Sequence, residues 1–298
     1  MKRRSWLVVA ICAAAYAQEG QIAGPVLGFV HDGAAKRVRP IYGIPASGLI
    51  TGPVAGDDIV AAEAGGSFAL ALQGEARKPI LVTAAGTRAI AGASEGATRL
   101  LLSSDGAAAA LLFEGQRRIE HILLKVSEVR RLTIASLRGP IAALAVTPSS
   151  VVYTESGTAG IYVHSRNGEL RLIPTAAPVT ALAARAGQIF ALSGSELLVF
   201  TDFVLNRSLR VPRADATDLV VGPTAAVLAR RGSAAVSVVP LSAATASTLD
   251  CDCSVSGVFA TANEQAWRLT GYDSQVRLLD LSGLEPRITF VAREGAAQ

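Results

Sequence analysis

The chain has 298 residues, of which 50% are hydrophobic, 17% are charged and 5% are aromatic. This composition is too apolar and too weakly charged for an intrinsically disordered protein, and three cysteines are too few for a small disulfide-built scaffold. The length fits one large all-β or α/β domain, or two smaller domains. Composition therefore bounds the class of protein but does not indicate what it does.

Residues 1–17 have the pattern of a secretory signal peptide. Three basic residues at positions 2–4 precede an apolar run over 6–15, and Ala15 and Ala17 mark a cleavage site after Ala17. The run is too short to cross a bilayer as a helix. Cys12 raises the alternative of a lipoprotein, but Ile11 is too bulky for the small residue that lipid attachment requires.

Cleavage would leave a single mature domain over residues 18–298. The first 17 residues hold three of the 28 basic residues and none of the 24 acidic ones, which leaves 25 basic against 24 acidic residues. This near-neutral balance gives no electrostatic reason to expect nucleic acid as a partner. We expect a periplasmic or extracellular protein, without a transmembrane segment in its mature chain.

Short apolar runs separated by turn residues begin at residue 26 and continue to the end of the chain. Each run has four to eight residues, which is the length of a strand. The pairs Asp32-Gly33, Asp105-Gly106 and Asn167-Gly168 separate neighbouring runs. Because Asn or Asp followed by Gly tolerates the positive φ angles of a type I′ turn, each pair predicts a hairpin, the first over residues 26–42.

The runs recur in units of about 40 residues. Four units, each with four apolar runs, start 38 residues apart at Ile141, Val179, Thr217 and Val255. Two looser copies start near residues 59 and 99. Four short strands per unit are typical of a propeller blade, and the small residues of the first run suit a crowded inner strand. We therefore predict an all-β propeller of six four-stranded blades, with the N-terminal hairpin closing the ring or forming part of a seventh blade.

Residues 116–138 fit this scheme less clearly. They contain no Gly or Pro, and Ile119, Ile122, Leu123, Val126 and Val129 fit the stripe of an amphipathic helix. The repeat instead requires strands at about 117–125 and 130–137. We favour the strands, because the neighbouring units have strands at the same positions.

A short motif at residues 92–96 matches the nucleophile elbow of serine hydrolases. Gly92-Ala93-Ser94-Glu95-Gly96 has the Gly-x-Ser-x-Gly spacing that exposes a serine hydroxyl on a turn from a strand into a helix. Residues 97–102 read as a strand instead. We therefore interpret the motif as a turn between blades.

Other candidate functional residues are scattered. His31, His121 and His164 are isolated, so no metal-binding spacing exists, although His164 beside Arg166 could line a binding face. Asp57-Asp58 has no acidic partner at a readable spacing. The doublets Arg117-Arg118, Arg130-Arg131 and Arg230-Arg231 are interpreted as solvated strand edges. We assign no catalytic, cofactor-binding or metal-binding residue and expect no cofactor.

The segment Asp250-Cys251-Asp252-Cys253 is the most unusual local cluster. Residues two apart on a strand lie at the edge of disulfide geometry, so a bridge would need a bend or bulge in the chain. A Cys251–Cys253 disulfide, two free thiols and a metal site all remain open, and export to an oxidising compartment favours the disulfide.

The four-strand spacing over residues 26–294 resembles the bacterial secreted β-propeller repeat proteins, although no specific WD40, kelch or NHL motif is present. The resemblance implies that a ligand or protein is bound on one face of the disc, and such families also include enzymes. We expect a monomeric, non-catalytic binding module for an unknown protein or glycan. The alternative is a lactonase- or glycosidase-like hydrolase at the axial channel, which would need polar residues from several blades. Near the inner strands, Asp218 and Asn263 are among the few such residues.

Overall fold

A computed structural model describes residues 24–54, 57–126, 128–134, 139–242 and 245–294. The predicted signal peptide lies outside these residues. The described residues form seven four-stranded sheets, which are the blades of a β-propeller. No helix among them reaches the length and hydropathy of a membrane span.

In each blade the strands run in chain order from the ring axis outwards. Blade 1 contains β1 (Val26–Asp32), β2 (Arg37–Ile44) and β3 (Ser47–Ile50). Blade 2 contains β4 (Ile59–Ala64), β5 (Phe68–Gln73), β6 (Lys78–Thr83) and β7 (Gly86–Ala89). Blade 3 contains β8 (Arg99–Leu102), β9 (Ala108–Phe113), β10 (Arg118–Leu123) and β11 (Glu128–Thr133), with a 3₁₀ turn at Glu114–Gln116. Blade 4 contains β12 (Ile141–Val146), β13 (Ser150–Glu155), β14 (Gly160–Ser165) and β15 (Leu170–Pro174).

The remaining blades follow the same order. Blade 5 contains β16 (Val179–Arg185), β17 (Gln188–Ser193), β18 (Glu196–Thr201) and β19 (Val204–Arg210). Blade 6 contains β20 (Asp218–Val221), β21 (Ala225–Ala229), β22 (Ala235–Pro240) and β23 (Ser247–Asp250). Blade 7 contains β24 (Phe259–Ala260), β25 (Ala266–Arg268), β26 (Arg277–Asp280) and β27 (Arg287–Phe290). The last strand, β28 (Ala292–Arg293), belongs to blade 1.

The ring is closed by the two ends of the chain. Strand β28 pairs in parallel with β3, so that Ala292 lies opposite Leu49 and Arg293 opposite Ile50. The backbone N–H of Glu294 also donates to the carbonyl of Ile50 at 2.9 Å. The predicted hairpin is therefore part of a seventh blade, and it also closes the ring. Sequence reasoning missed β3 and β28, which are only four and two residues long.

Apolar clusters fill the interfaces between neighbouring blades. Strand β9 shows why the sequence has continuous apolar runs, since all six of its residues are buried. Ala108, Ala110 and Leu112 pack towards blade 4. Ala109, Leu111 and Phe113 pack towards blade 2. Because each sheet is covered on both faces, alternation of polar and apolar residues is lost.

Two local predictions have different outcomes. Residues 116–138 form strands β10 and β11 within the described part of the segment, so the helix alternative is wrong there. The three hairpins form where predicted, but their turns are not type I′. That turn needs positive φ at both central residues, and only Gly106 and Gly168 of the six turn residues have it.

Candidate functional site

The inner strands of blades 2 to 7 surround a cavity of about 220 Å³ on the ring axis. Between blades 2 and 7, Gly65 forms a parallel bridge with Ala260, which brings the two neighbours of blade 1 into direct contact. Much of the wall is apolar, and residues such as Ala143, Ala145 and Leu182 come from inner strands. The small residues predicted for these strands therefore leave room for the cavity.

Six charged side chains from five blades line this cavity. They are Glu63 of blade 2, Arg99 of blade 3, Arg185 of blade 5, Asp218 and Arg231 of blade 6, and Glu264 of blade 7. Four of them form two ion pairs. Arg231 binds Asp218 through two contacts, Nε–Oδ2 and Nη2–Oδ1, both 3.2 Å long. Arg185 Nη2 lies 2.6 Å from Glu264 Oε2.

The two ends of the cavity differ. At the first face, where the inner strands begin, Arg99 and Asp218 are the first residues of β8 and β20. At the second face, where the inner strands end, the Arg185–Glu264 pair connects blade 5 to blade 7. Ser104 Oγ donates to the carbonyl of Ala184 at 3.1 Å, which connects blade 3 to blade 5. Two described contacts between blades therefore cross the second face.

Glu63 is the unusual acid of this site. It lies on the innermost strand of blade 2, and no described residue forms a hydrogen bond or ion pair with its carboxylate. Burial raises the pKa of Glu63 to about 7, with a smaller upward effect from Asp218. Arg268, Arg231 and Arg99 act in the opposite direction. Both protonation states of Glu63 are therefore populated at neutral pH.

Arg268 lies behind the cavity wall and is only 4% exposed. Its guanidinium carbon lies 3.9 Å from the ring centroid of Phe259, and Nη1 donates to the carbonyl of Thr270. Its Nε has no hydrogen-bond partner within the described part of the chain. Burial lowers the pKa of Arg268 to about 10, partly offset by Glu63, so the side chain remains a cation at neutral pH.

Ser94 lies outside this cavity, in the loop between β7 and β8. Its Oγ donates to Glu120 Oε1 at 2.5 Å, and its backbone N–H donates to Glu120 Oε2 at 2.8 Å. Arg131 Nε donates to the same carboxylate at 3.0 Å. The neighbouring His121 directs Nε2 to the carbonyl of Thr147 at 2.8 Å. The motif therefore has no histidine base among its described contacts and acts as a turn bound to blade 3.

The three histidines lie on different blades, on strands β1, β10 and β14. His31 Nε2 contacts the carbonyl of Ile59 at 3.0 Å. Neither His164 nor Arg166 lines the axial cavity, and Arg166 pairs with Glu128 of blade 3 at 2.6 Å. The described residues contain no group of three side chains suited to a metal ion.

The arginine doublets need a correction. Arg230 fits the solvated-edge interpretation, since its exposed side chain pairs with Asp215. Arg231 is also exposed, but it lies in the turn between β21 and β22 and lines the mouth of the cavity. Arg131 reaches inwards to the buried Glu120. Asp57 and Asp58 pair with Arg37 and Lys36, both at 2.8 Å, away from the cavity.

The structure contains the Cys251–Cys253 disulfide, one of the three alternatives left open by the sequence. The predicted bend is at Asp252, which has a φ of 47°. It brings the two Cα atoms to 5.1 Å, within disulfide range.

Sequence reasoning identified only part of the cavity lining. Asp218 and Asn263 line it, as their predicted positions near inner strands suggested. Glu63, Arg99 and Glu264 were missed. For Glu63 and Arg99 a signal existed, because each places a charge in the innermost run of a predicted blade. The position of Glu264 depends on a loop path that the repeat does not specify.

No protein-family model and no curated protein matches this sequence. A streptogramin B lyase structure has a TM-score of 0.56 and 10% identity, covering 75% of this chain and 79% of the lyase. An inactive virginiamycin B lyase from Staphylococcus aureus, solved with quinupristin, has a TM-score of 0.56 and 11% identity, covering 77% and 82%. The RRP9 WD40 repeats have a TM-score of 0.56 and 13% identity, covering 76% and 78%. At these identities the likeness shows the β-propeller fold alone.

Proposed function

We propose that this protein is an exported, non-catalytic binding module that takes a small ligand into the axial cavity. The observation that carries the proposal is the axial cavity, in which charged side chains from five blades converge beside apolar wall residues. Concave sites with a few convergent polar groups among apolar residues are typical of ligand binding. The volume of about 220 Å³ is below the range typical of drug-sized ligands, so the ligand is small.

Trp267 offers a direct test, because it lines the cavity and is 5% exposed. The only other tryptophan, Trp6, belongs to the predicted signal peptide, so cleaved protein would carry a single tryptophan. A panel of small polar and amphipathic metabolites should contain compounds that change Trp267 fluorescence saturably and raise the melting temperature.

A cavity-filling variant provides the control. Ala142 is an exposed residue of the cavity lining, so the larger side chain of Ala142→Phe should fill the cavity and abolish ligand binding. Ala85→Phe, in an exposed turn between β6 and β7, should bind normally. Binding that persists in Ala142→Phe would place the ligand elsewhere. A panel without any ligand would favour a protein or glycan partner on one face of the disc.

The second candidate function is that of an enzyme. A hydrolase on this fold needs polar residues from several blades in one pocket, and charged residues of five blades line the axial cavity. The specific observation in its favour is the pKa of Glu63 near 7, which suits a general acid or base. A hydrolase of lactonase or glycosidase type would then lose turnover in Glu63→Gln while keeping substrate binding. Among proteins of similar fold, both a lyase and WD40 repeats occur, so the fold favours neither reading.

Export to the periplasm or cell exterior is part of the proposal and is supported by the disulfide, which persists in oxidising compartments. Mass spectrometry of protein recovered after export should find glutamine at position 18 as the first residue. An intact N-terminus on exported protein would contradict cleavage after Ala17.

A further inference from the structure

The charges at the axial cavity do not balance within the described residues. The Arg231–Asp218 and Arg185–Glu264 pairs neutralise themselves, each arginine contacting its own carboxylate. Arg99 and Arg268 have no carboxylate within ion-pair distance among the described residues. Against these two cations stands only Glu63, which is partly protonated at neutral pH. The site therefore carries a net positive charge in either state of Glu63.

Arg99 lies at the cavity wall, and Arg268 is buried away from water behind it. Arg99 Nη1 donates to the carbonyl of Ile141 at 3.2 Å, which fixes the guanidinium against blade 4 at the cavity wall. Arg268 is buried behind Phe259, and its Nε has no partner among the described residues. Burial of a charge without a countercharge is unfavourable, so an anion in the cavity would lower the energy of the site.

The walls specify the rest of the ligand. Leu101, Leu182 and Leu219 from three different blades line the same space, with Trp267 and Phe259 beside them. A fully hydrated inorganic anion would leave these surfaces without apolar contact. A small organic carboxylate fits both the cations and the apolar wall residues. Its carboxylate can bind a guanidinium, and its apolar body can contact the walls.

We propose that the axial cavity binds a small organic carboxylate, held by Arg99 in the positive field of Arg268, and that binding above about pH 7 is accompanied by proton uptake onto Glu63. This inference rests on the proposed ligand-binding function and names its ligand class. Glu63 faces Arg268 of β25, Arg99 of β8, and the Asp218–Arg231 pair of blade 6. A second carboxylate among these groups repels ionised Glu63, so the proton comes from solvent and joins its carboxylate as the ligand enters.

Probes that differ only in charge test the ligand class. Acetate, butyrate and benzoate are titrated beside acetamide, butyramide and benzamide, with Trp267 fluorescence and calorimetry as readouts. We expect the best carboxylate to bind at least about tenfold more tightly than its amide, since one charged hydrogen-bonded contact distinguishes them. Amides that bind as tightly as the acids would overturn the proposal and leave the ligand-binding function standing. If neither series binds, the carboxylate proposal fails, and the broader metabolite panel decides whether the ligand-binding function stands.

The proton is tested by pH and by buffer. Carboxylate affinity should be nearly constant between about pH 5.5 and 6, where the probe is ionised and Glu63 is protonated. It should fall by up to about tenfold per pH unit well above pH 7, where Glu63 must first be protonated. Calorimetry at pH 7.5 in two buffers of different ionisation enthalpy should report proton uptake. An affinity that is flat from pH 6 to 8.5, without proton uptake, would overturn the coupling.

Two variants separate the roles. Glu63→Gln imitates the protonated acid. At pH 8 it should therefore bind the carboxylate as tightly as the parent protein does near pH 6, and its affinity should no longer depend on pH over this range. Arg99→Gln should lower carboxylate affinity by about tenfold or more and leave amide affinity unchanged. Melting temperature and unliganded Trp267 fluorescence confirm that each variant is folded. A Glu63→Gln protein with the unaltered pH profile would assign the proton to another group.

Discussion

Gly222 shows how tightly single residues are packed beside the cavity. A Cβ atom built at this position would lie 2.7 Å from two ring carbons of Trp267 and 3.0 Å from the carbonyl oxygen of Glu264. Gly222→Ala should therefore destabilise the protein by about 1–3 kcal/mol, because the indole and the loop must move to make room. Denaturant unfolding followed by Trp267 fluorescence measures the loss.

Gly33→Ala is the matched control for this substitution. Gly33 lies in an exposed turn, has no atom within 4 Å of a built Cβ, and does not have a left-handed φ. Its free energy of unfolding should change by less than about 1 kcal/mol. Equal effects at Gly33 and Gly222 would show that the indole contact is not the cause.

Glu120 is a second residue whose burial makes it sensitive to substitution. Its fully buried carboxylate accepts hydrogen bonds from Ser94 and Arg131. Glu120→Ala should lower the free energy of unfolding by about 3 kcal/mol or more, because it leaves Arg131 without its carboxylate. Ser94→Ala should lower it by about 1 kcal/mol, because this variant loses one hydrogen bond and keeps the Glu120–Arg131 ion pair. Thermal and chemical unfolding of both variants test this order.

Glu114→Ala supplies the control for Glu120, because Glu114 is an exposed acid in the 3₁₀ turn. Its effect should stay within about 0.5 kcal/mol. A Glu120→Ala protein as stable as Glu114→Ala would contradict a structural role for the carboxylate.

At the scale of elements, the strand pairing that closes the ring is short. Only two residues of β28 pair with β3, supported by Glu294 N–H and by Arg293 over the ring of Tyr272 at 4.3 Å. Truncation after Val291 should lower the free energy of unfolding by about 2 kcal/mol or more, because several backbone hydrogen bonds and the Arg293–Tyr272 contact are lost together. Melting temperature and limited proteolysis between residues 44 and 54 are the measurements.

Truncation after Glu294 is the control, since it keeps β28 and its described contacts. We expect its melting temperature to match that of the full chain. If both truncated proteins melt alike, the C-terminal strand does not contribute measurably to closure. Blades 1 and 7 are then held together by their apolar cluster and by hydrogen bonds such as that from Thr289 Oγ1 to the carbonyl of Pro45.

At the scale of the whole molecule, Glu63 links stability to pH. Its pKa of about 7 in the folded protein lies above the ordinary value of 4.5, so the folded state retains a proton that the unfolded chain has lost. Its contribution to stability is complete below about pH 4.5 and is lost as the pH rises through 7. Between pH 5 and 8 the melting temperature of the parent protein should therefore fall relative to that of Glu63→Gln, while the lowered pKa values of His121 and His164 act in the opposite direction in both proteins.

The acid limb of the same profile provides an internal control. Burial alone would raise the pKa values of Asp32 and Asp280, but hydrogen bonds from Ala35 and Ser282, with Arg39 and Arg287, lower both. These carboxylates stabilise the fold above their ordinary pKa, and that stabilisation is lost as the pH falls below it. Glu63→Gln should leave this limb unchanged. If the difference in melting temperature between the parent protein and Glu63→Gln does not change from pH 5 to 8, Glu63 is not the group that links stability to pH.

Particular residues show how far sequence reasoning reached. The starts predicted at 141 and 179 coincide with strands β12 and β16, because a blade needs the same four runs wherever it stands in the ring. The short strands β3 and β28 were missed, since two to four residues carry no periodicity. Asp218 was noted near an inner strand, but its contact with Arg231 joins separate parts of blade 6 and leaves no spacing signal.

The sequence by itself determined the repeating blade, its two-sided burial and the all-β class, because these follow from local periodicity and from turn residues. Only the tertiary structure decided the number of blades, the parallel closing strand and the charges that meet on the axis. Glu63, Arg99 and Arg268 lie on three different blades and come together only when the ring is closed. The burial and mutual charge that determine their chemistry exist only in that arrangement, so no stretch of chain encodes them alone.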